Sequence, residues 1–192
     1  MKKETALYFG SFNPPHIGHT AIANYILNNS DVDELWFMVS PQNPLKKSSS
    51  LLPARTRLEL CRLALEDHPK MRASDFEFNL PRPSYTVHTL IQLEEKFPDR
   101  LFSIIMGMDN LQNFHKWKSY ETILENYRIL VYPRPGFNAG DYEKHPTVQI
   151  IDAPLMQISS SYIRKEIKDG NDVRFFMRSQ VYQMIDREGL YF

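Results

Sequence analysis

The chain has one cysteine, Cys61, in 192 residues. A lone thiol excludes an internal disulfide and fits a reducing compartment, and its place in a helical pattern marks it as a small core residue. Charge of either sign is not in excess: 23 basic and 23 acidic residues give a formal net charge of zero. No bulk affinity for nucleic acid or for a membrane surface is therefore expected, and any anion must be held by a local cluster. No apolar run approaches the length of a membrane span. The first, Ala6-Leu7-Tyr8-Phe9, stops at Gly10 and is too short for a secretory signal, so a cytoplasmic protein is expected. The chain also lacks His-Glu-x-x-His, repeats and low-complexity tracts, and no metal-ligating residue set is expected.

What is present suffices for a globular core, with 42% apolar residues. The length suits one domain over 1–192, its C-terminal helices (159–190) packed on it. The most informative stretch is Gly10-Ser11-Phe12-Asn13-Pro14-Pro15-His16-Ile17-Gly18-His19. It joins a buried-strand pattern, Ala6–Phe9, to a helical one, Thr20–Leu27. In open parallel sheets ligands bind where strands end and helices begin. A helix start carries unpaired N–H groups and a positive dipole end, so it attracts phosphate. Two histidines three apart add side-chain donors. Histidines that merely cap the helix are the plain alternative, and the full ten-residue context weighs against it.

Further along, Glu34–Val39 reads as a second buried strand, completing a parallel βαβ unit. The loop from Ser40 to Ser50 leaves its carboxyl end. There Lys46 or Lys47 could neutralise phosphate and Asn43 could hold a substrate, or the loop could simply be solvated. Arg55–Asp67 reads as an amphipathic helix with Arg55, Arg57 and Arg62 solvated or paired. Met71–Ser74 and Phe76–Leu80 read as short strands, and a helix follows over 87–97 with Ser84 or Thr86 as its N-cap. Leu101–Met106 is a buried strand ending at Gly107-Met108-Asp109. Gly107 permits close backbone approach. Asp109 could accept from ribose hydroxyls or could cap a helix. Trp117 could belong to the core or stack on a planar ring. A short helix (121–125), a strand (128–132), the turn Pro133-Arg134-Pro135-Gly136, an irregular segment (138–145) and a last strand (148–151) follow. Ile158-Ser159-Ser160-Ser161-Tyr162-Ile163-Arg164 is a second phosphate-friendly helix start, with Ser159 as N-cap. A closing helix over 179–190 ends at Gly189.

These stretches resemble the nucleotidyltransferase superfamily through Gly10–His19 and Ile158-Ser159-Ser160 with Arg164. They resemble bacterial nicotinate-nucleotide adenylyltransferases through Ser40–Lys46, Pro83–Thr86, Gly107-Met108-Asp109 with Trp117, and Arg134-Pro135-Gly136. Phe9 stands where that family usually has Gly, Asn13 where Asp is commoner, and Gln42–Lys46 is a variant loop. The resemblance implies an α/β fold: a Rossmann-like doubly wound parallel sheet with flanking helices and a small C-terminal helical region.

It also implies a reaction, nicotinate mononucleotide + ATP → deamido-NAD + pyrophosphate, with Mg²⁺ accompanying ATP. His16, His19, Lys46 and Arg164 would act on the phosphates. Gly10, Ser11, Phe12, Gly107, Asp109, Ile158, Ser159 and Ser160 would complete the ATP site. Asn43, Tyr85, Thr86, Trp117 and Arg134 would hold the mononucleotide. The implied partners are small molecules, and a homo-oligomer stays compatible with the chain. Three other readings compete. A phosphopantetheine or phosphoalcohol acceptor is disfavoured by Ser84-Tyr85-Thr86 and Trp117. A class I aminoacyl-tRNA synthetase fragment would need a longer, more basic chain. A non-catalytic nucleotide-binding regulator would not need both histidines, Lys46 and Arg164.

Overall fold

The computed structural model describes residues 2–41 and 51–192. In chain order the elements are β1 (Lys3–Gly10), α1 (Ile17–Asn29), β2 (Glu34–Val39), α2 (Ala54–Leu65), β3 (Met71–Ser74), α3 (Thr86–Lys96) and β4 (Arg100–Gly107). There follow α4 (Met108–Gln112), α5 (Tyr120–Asn126), β5 (Arg128–Tyr132), β6 (Val148–Ile150), α6 (Ser160–Lys168) and α7 (Ser179–Arg187).

The six strands form one parallel sheet in the order β3-β2-β1-β4-β5-β6. This is the expected doubly wound arrangement. The chain moves outward from β1 in one direction, returns, and moves outward in the other, so the order reverses between β1 and β4. Loops leaving the carboxyl ends of those two strands diverge and open a crevice there.

Strand alternation sorts the core into two layers. Ala6 and Tyr8 of β1, Phe37 of β2 and Leu130 and Tyr132 of β5 face a layer with Ile22 and Ile26 of α1, Cys61 of α2, Ile163 of α6 and Val181 of α7. Leu7, Trp36, Met38, Ile104 and Val131 face the other, with Leu90 and Leu93 of α3, Leu111 of α4 and Ile123 of α5. The central strands are near-continuous apolar runs because both faces are covered. Helices α6 and α7 share the first layer with α1 and α2.

Some expectations need correction. Phe76–Asn79 is a 3-10 turn, not a strand. Its alternation misleads because Glu77, not the flanking phenylalanines, is the buried residue. Segment 138–145 contains a 3-10 turn, Gly140–Lys144. Neither Ser84 nor Thr86 caps α3: Tyr85 occupies the N-cap position and makes no side-chain cap. Arg57 is neither solvated nor ion-paired but fully buried. Ser159 does cap α6, its hydroxyl accepting from Tyr162 N–H at 3.1 Å. Gly189 does end the last helical stretch, at φ +60°.

Candidate active site

The crevice is built first from the β1–α1 loop. Phe12 sits in the left-handed region at φ +46°, a conformation that costs a bulky residue of order 1–3 kcal/mol. Packing holds it there: its ring is buried against Tyr8, His19 and Phe37. That ring also explains Gly10, since a β-carbon at Gly10 would come within 2.8 Å of Phe12 Cζ. Phe12 is thus a core prop whose side chain faces inward; only its backbone can serve a nucleotide.

The two histidines fold over the start of α1. Their rings lie 3.7 Å apart at 32°, and a β-carbon at Gly18 would sit 3.0 Å from His16 Cε1 and Nδ1. The glycine between them is therefore what lets the His16 ring lie back against the helix. His19 Nδ1 accepts from His16 backbone N–H at 3.2 Å, so the neutral His19 ring carries its proton on Nε2. His16 is buried, and burial, helped by the Arg134 charge, pushes its pKa down to about 4. At neutral pH the His16 ring is therefore uncharged.

The second helix start is laced onto this loop. Ser160 Oγ donates to Pro14 C=O at 2.8 Å, and Arg164 Nη1 donates to Asn13 C=O at 2.8 Å. Arg164 Nη2 donates to Ser161 Oγ. Asn13 Oδ1 in turn accepts from Leu52 N–H and from Tyr191 Oη. Ser160's hydroxyl proton is thereby committed to the loop, so toward an anion it offers its backbone N–H. Ser159, accepting from Tyr162, can still donate. Ile158 is half-buried against the first core layer.

On the other side, β4 ends at Gly107, which is the N-cap of α4, so Asp109 is not the cap. The Asp109 carboxylate folds back over Gly107 and pairs with Arg134 Nε at 3.5 Å. Arg134 Nη2 also donates to Tyr132 Oη, which meets Tyr8 Oη at 3.2 Å. Asp109 and Arg134 are paired by charge without a hydrogen bond between Oδ1 and Nε. Four buried side-chain polar atoms among the described residues lack a hydrogen-bond partner. Three of them, His16 Nδ1, Asp109 Oδ1 and Arg134 Nε, lie here. Buried polar atoms are nearly always satisfied, so exceptions gathered at one strand-end crevice point to a polar ligand.

The remaining expected residues lie toward the second layer. Tyr85 and Thr86 open α3, half-buried, with Lys118 Nζ 4.6 Å above the Tyr85 ring. Trp117 is half-buried beside Phe114 at the edge of the same layer. Lys46, Lys47 and Asn43 lie outside the described residues.

Sequence reasoning missed Arg57. From α2, its Nη1 donates to Ser11 C=O at 2.7 Å and Ser40 C=O at 2.9 Å. Its Nη2 donates to Pro41 C=O at 3.0 Å, and its Nε to Leu52 C=O at 2.9 Å. One guanidinium ties the loops after β1 and β2 together from below, and burial lowers its pKa.

Comparison with known proteins supplies the family. Residues 7–166 match the cytidylyltransferase-like family model. A Flavobacterium psychrophilum protein named "probable nicotinate-nucleotide adenylyltransferase" is 49% identical over 187 residues, covering 96% of this chain and 97% of its own. One of the same name from Christiangramia forsetii is 45% identical over 193 residues, covering 100% of both. The chain belongs to the nicotinate-nucleotide adenylyltransferase family. The fold agrees with that of the Plasmodium falciparum nicotinic acid mononucleotide adenylyltransferase solved with NaAD, at TM-score 0.83, 20% identity, and 98% and 97% coverage of the two chains. Members of this family are nucleotidyltransferases, and the crevice at the sheet's switch point is where their fold binds ligands. Among the described residues no helix is long and apolar enough to cross a membrane.

Proposed function

We propose that the chain transfers the adenylyl group of ATP to nicotinate mononucleotide in the cytoplasm, giving deamido-NAD and pyrophosphate. The observation that carries this reading for the site is the set of orphaned polar atoms on His16, Asp109 and Arg134, placed where two helix starts and the ends of β1 and β4 meet. The names of the relatives supply the acceptor.

A phosphate oxygen of the mononucleotide attacks the α-phosphorus of ATP, and the bond from that phosphorus to the bridging oxygen of pyrophosphate breaks. The nucleophile is already ionised at neutral pH, so no general base is needed. The protein's task is alignment and stabilisation of charge building on the leaving group. His19 Nε2–H and the N–H groups opening α1 and α6 are donors for those oxygens, with Ser159 and the Arg164 cation beside them. Arg57, below Ser11, adds fixed positive charge without contact. Asp109 accepts from the adenosine ribose. For that, Arg134 exchanges its long pairing with Asp109 for the mononucleotide phosphate. Tyr85, Thr86 and Trp117 line the nicotinate end, Trp117 stacking on the ring.

Among the described residues no group of three or more His, Cys, Asp or Glu side chains is placed to hold a metal. The donor set here is largely cationic or N–H, so an Mg²⁺ would be held by the triphosphate it accompanies and would neutralise charge there.

The test is pyrophosphate release from ATP and Mg²⁺ with nicotinate mononucleotide, nicotinamide mononucleotide or phosphopantetheine offered separately. Turnover with the first is expected. Preference for phosphopantetheine would overturn the roles of Tyr85, Thr86 and Trp117. ATP binding without release under any condition would overturn catalysis.

A further inference from the structure

The proposed mechanism leaves one buried acid unused. Glu77, in the 3-10 turn after β3, is 2% exposed. Its Oε1 accepts from Thr89 Oγ1 of α3 at 2.8 Å, and its Oε2 from Ser84 Oγ at 3.5 Å. Burial pushes its pKa up, and the hydroxyls of Thr89, Ser40 and Ser84 oppose the shift. Ser40 is the residue directly after β2, and its carbonyl is one of those gripped by Arg57, which also grips Ser11. Glu77 thus binds on both sides of the α3 start, to Ser84 just before Tyr85 and to Thr89 just after Thr86, while Arg57 separately ties Ser40 to the loop that opens the phosphate site.

A carboxylate this deep in an apolar layer is costly to keep, since desolvation favours replacing it by a hydrocarbon. Two hydroxyls at the start of α3, those of Ser84 and Thr89, make it satisfied. Apolar packing could glue α3 to the sheet, and Leu90 and Leu93 already do so. It cannot fix the rotation and height of the first turn as a set of directional bonds does.

We propose that Glu77 is a positioning residue that sets the start of α3, and with it the acceptor-binding residues Tyr85 and Thr86, against the turn after β3 through its bonds to Ser84 and Thr89. This rests on the acceptor placement of the preceding section. Glu77 touches no substrate. Its loss displaces the acceptor end and leaves the ATP end in place.

The experiment compares steady-state kinetics of Glu77→Ala, Glu77→Gln, Thr86→Ala and Leu90→Ala with the parent enzyme, varying ATP and mononucleotide separately. Glu77→Ala is expected to raise the mononucleotide KM about tenfold or more while the ATP KM stays within about twofold, because only one substrate is misplaced. Glu77→Gln keeps a polar bridge between the same hydroxyls and is expected to return that KM to within about threefold of the parent. Leu90→Ala opens a cavity in the same helix and reports general loosening; it is expected to lower the melting temperature without the KM split.

Equal rises of both KM values in Glu77→Ala, or the same split in Leu90→Ala, would overturn the proposal. Thr86→Ala separates the two ideas. If it leaves the mononucleotide KM unchanged, the acceptor placement is wrong. If it raises that KM and Glu77→Ala does not, the placement stands and the positioning role falls. Should Glu77→Ala not fold, Ser84→Ala and Thr89→Val each remove one of the bonds to Glu77 and are expected to give the same split at about two- to fivefold.

Discussion

His16 makes stability depend on pH in a way that can be isolated. In the folded protein its pKa is pushed down to about 4 from an ordinary 6.5, by burial first and the Arg134 charge second. As pH falls, the unfolded chain takes up a proton on this ring near 6.5, whereas the folded chain resists until about 4. Between those values the unfolded state binds more protons, so stability rises with pH. The contribution is present in full above 6.5 and is lost on acidification through 4. A gap of about 2.5 pH units at 1.36 kcal/mol each is about 3 kcal/mol. For a chain of this size that corresponds to about 6–12 °C in Tm.

The measurement is urea unfolding at several pH values from 4 to 8 for the parent and for His16→Asn, a polar residue suited to the N-cap position that does not titrate. Glu77 works in the opposite sense, because its raised carboxyl favours the folded state at low pH, but both proteins carry it and it cancels in the difference. The gap between the two stability curves is expected to change by about 3 kcal/mol across the window. Parallel curves would refute the reasoning and mean that the folded His16 ring accepts a proton as readily as the unfolded one.

Other consequences follow from single contacts. His19→Ala removes a donor proposed to face the leaving group and is expected to lower kcat by about 10²–10³ with the fold intact by circular dichroism; near-normal turnover would refute that role. Ser159→Ala removes the cap of α6 and is expected to cost about 1 kcal/mol, read as a Tm lowered by about 2–4 °C. Arg57→Met leaves the carbonyls of Ser11, Ser40, Pro41 and Leu52 without their donor and is expected to destabilise by at least about 3 kcal/mol in urea. Arg57→Lys is expected to recover little of that, because a single ammonium cannot span the fork.

The sheet and the first helix start were legible because their signals are local. Four apolar residues, a Gly-Pro loop and two histidines state a strand, a turn and a helix within twenty positions. The second helix start was legible through Ser159 for the same reason. Arg57 was not. It stands in an amphipathic helix beside Arg55 and Arg62, both exposed, and only its place in the tertiary structure distinguishes it. Its partners are backbone carbonyls, which carry no side-chain signature. Glu77 failed differently: Phe-Glu-Phe has the period of a strand, yet the polar residue turned inward because the Ser84 and Thr89 hydroxyls at the start of α3 were there to bind it. The Asp109–Arg134 pairing joins two strand ends 25 positions apart, and its residues could be nominated singly but not as a pair.

The lacing of the β1–α1 loop bears on the order in which the enzyme becomes an enzyme. The bonds that steady it reach 146 residues ahead to Ser160, 151 to Arg164 and 178 to Tyr191. A ribosome makes the two histidines well before these three braces. Contacts of such separation must wait for the chain between them to be ordered. The β1–α1 loop is thus made before the residues that brace it, so in a growing chain its full bracing waits until Tyr191 has been added.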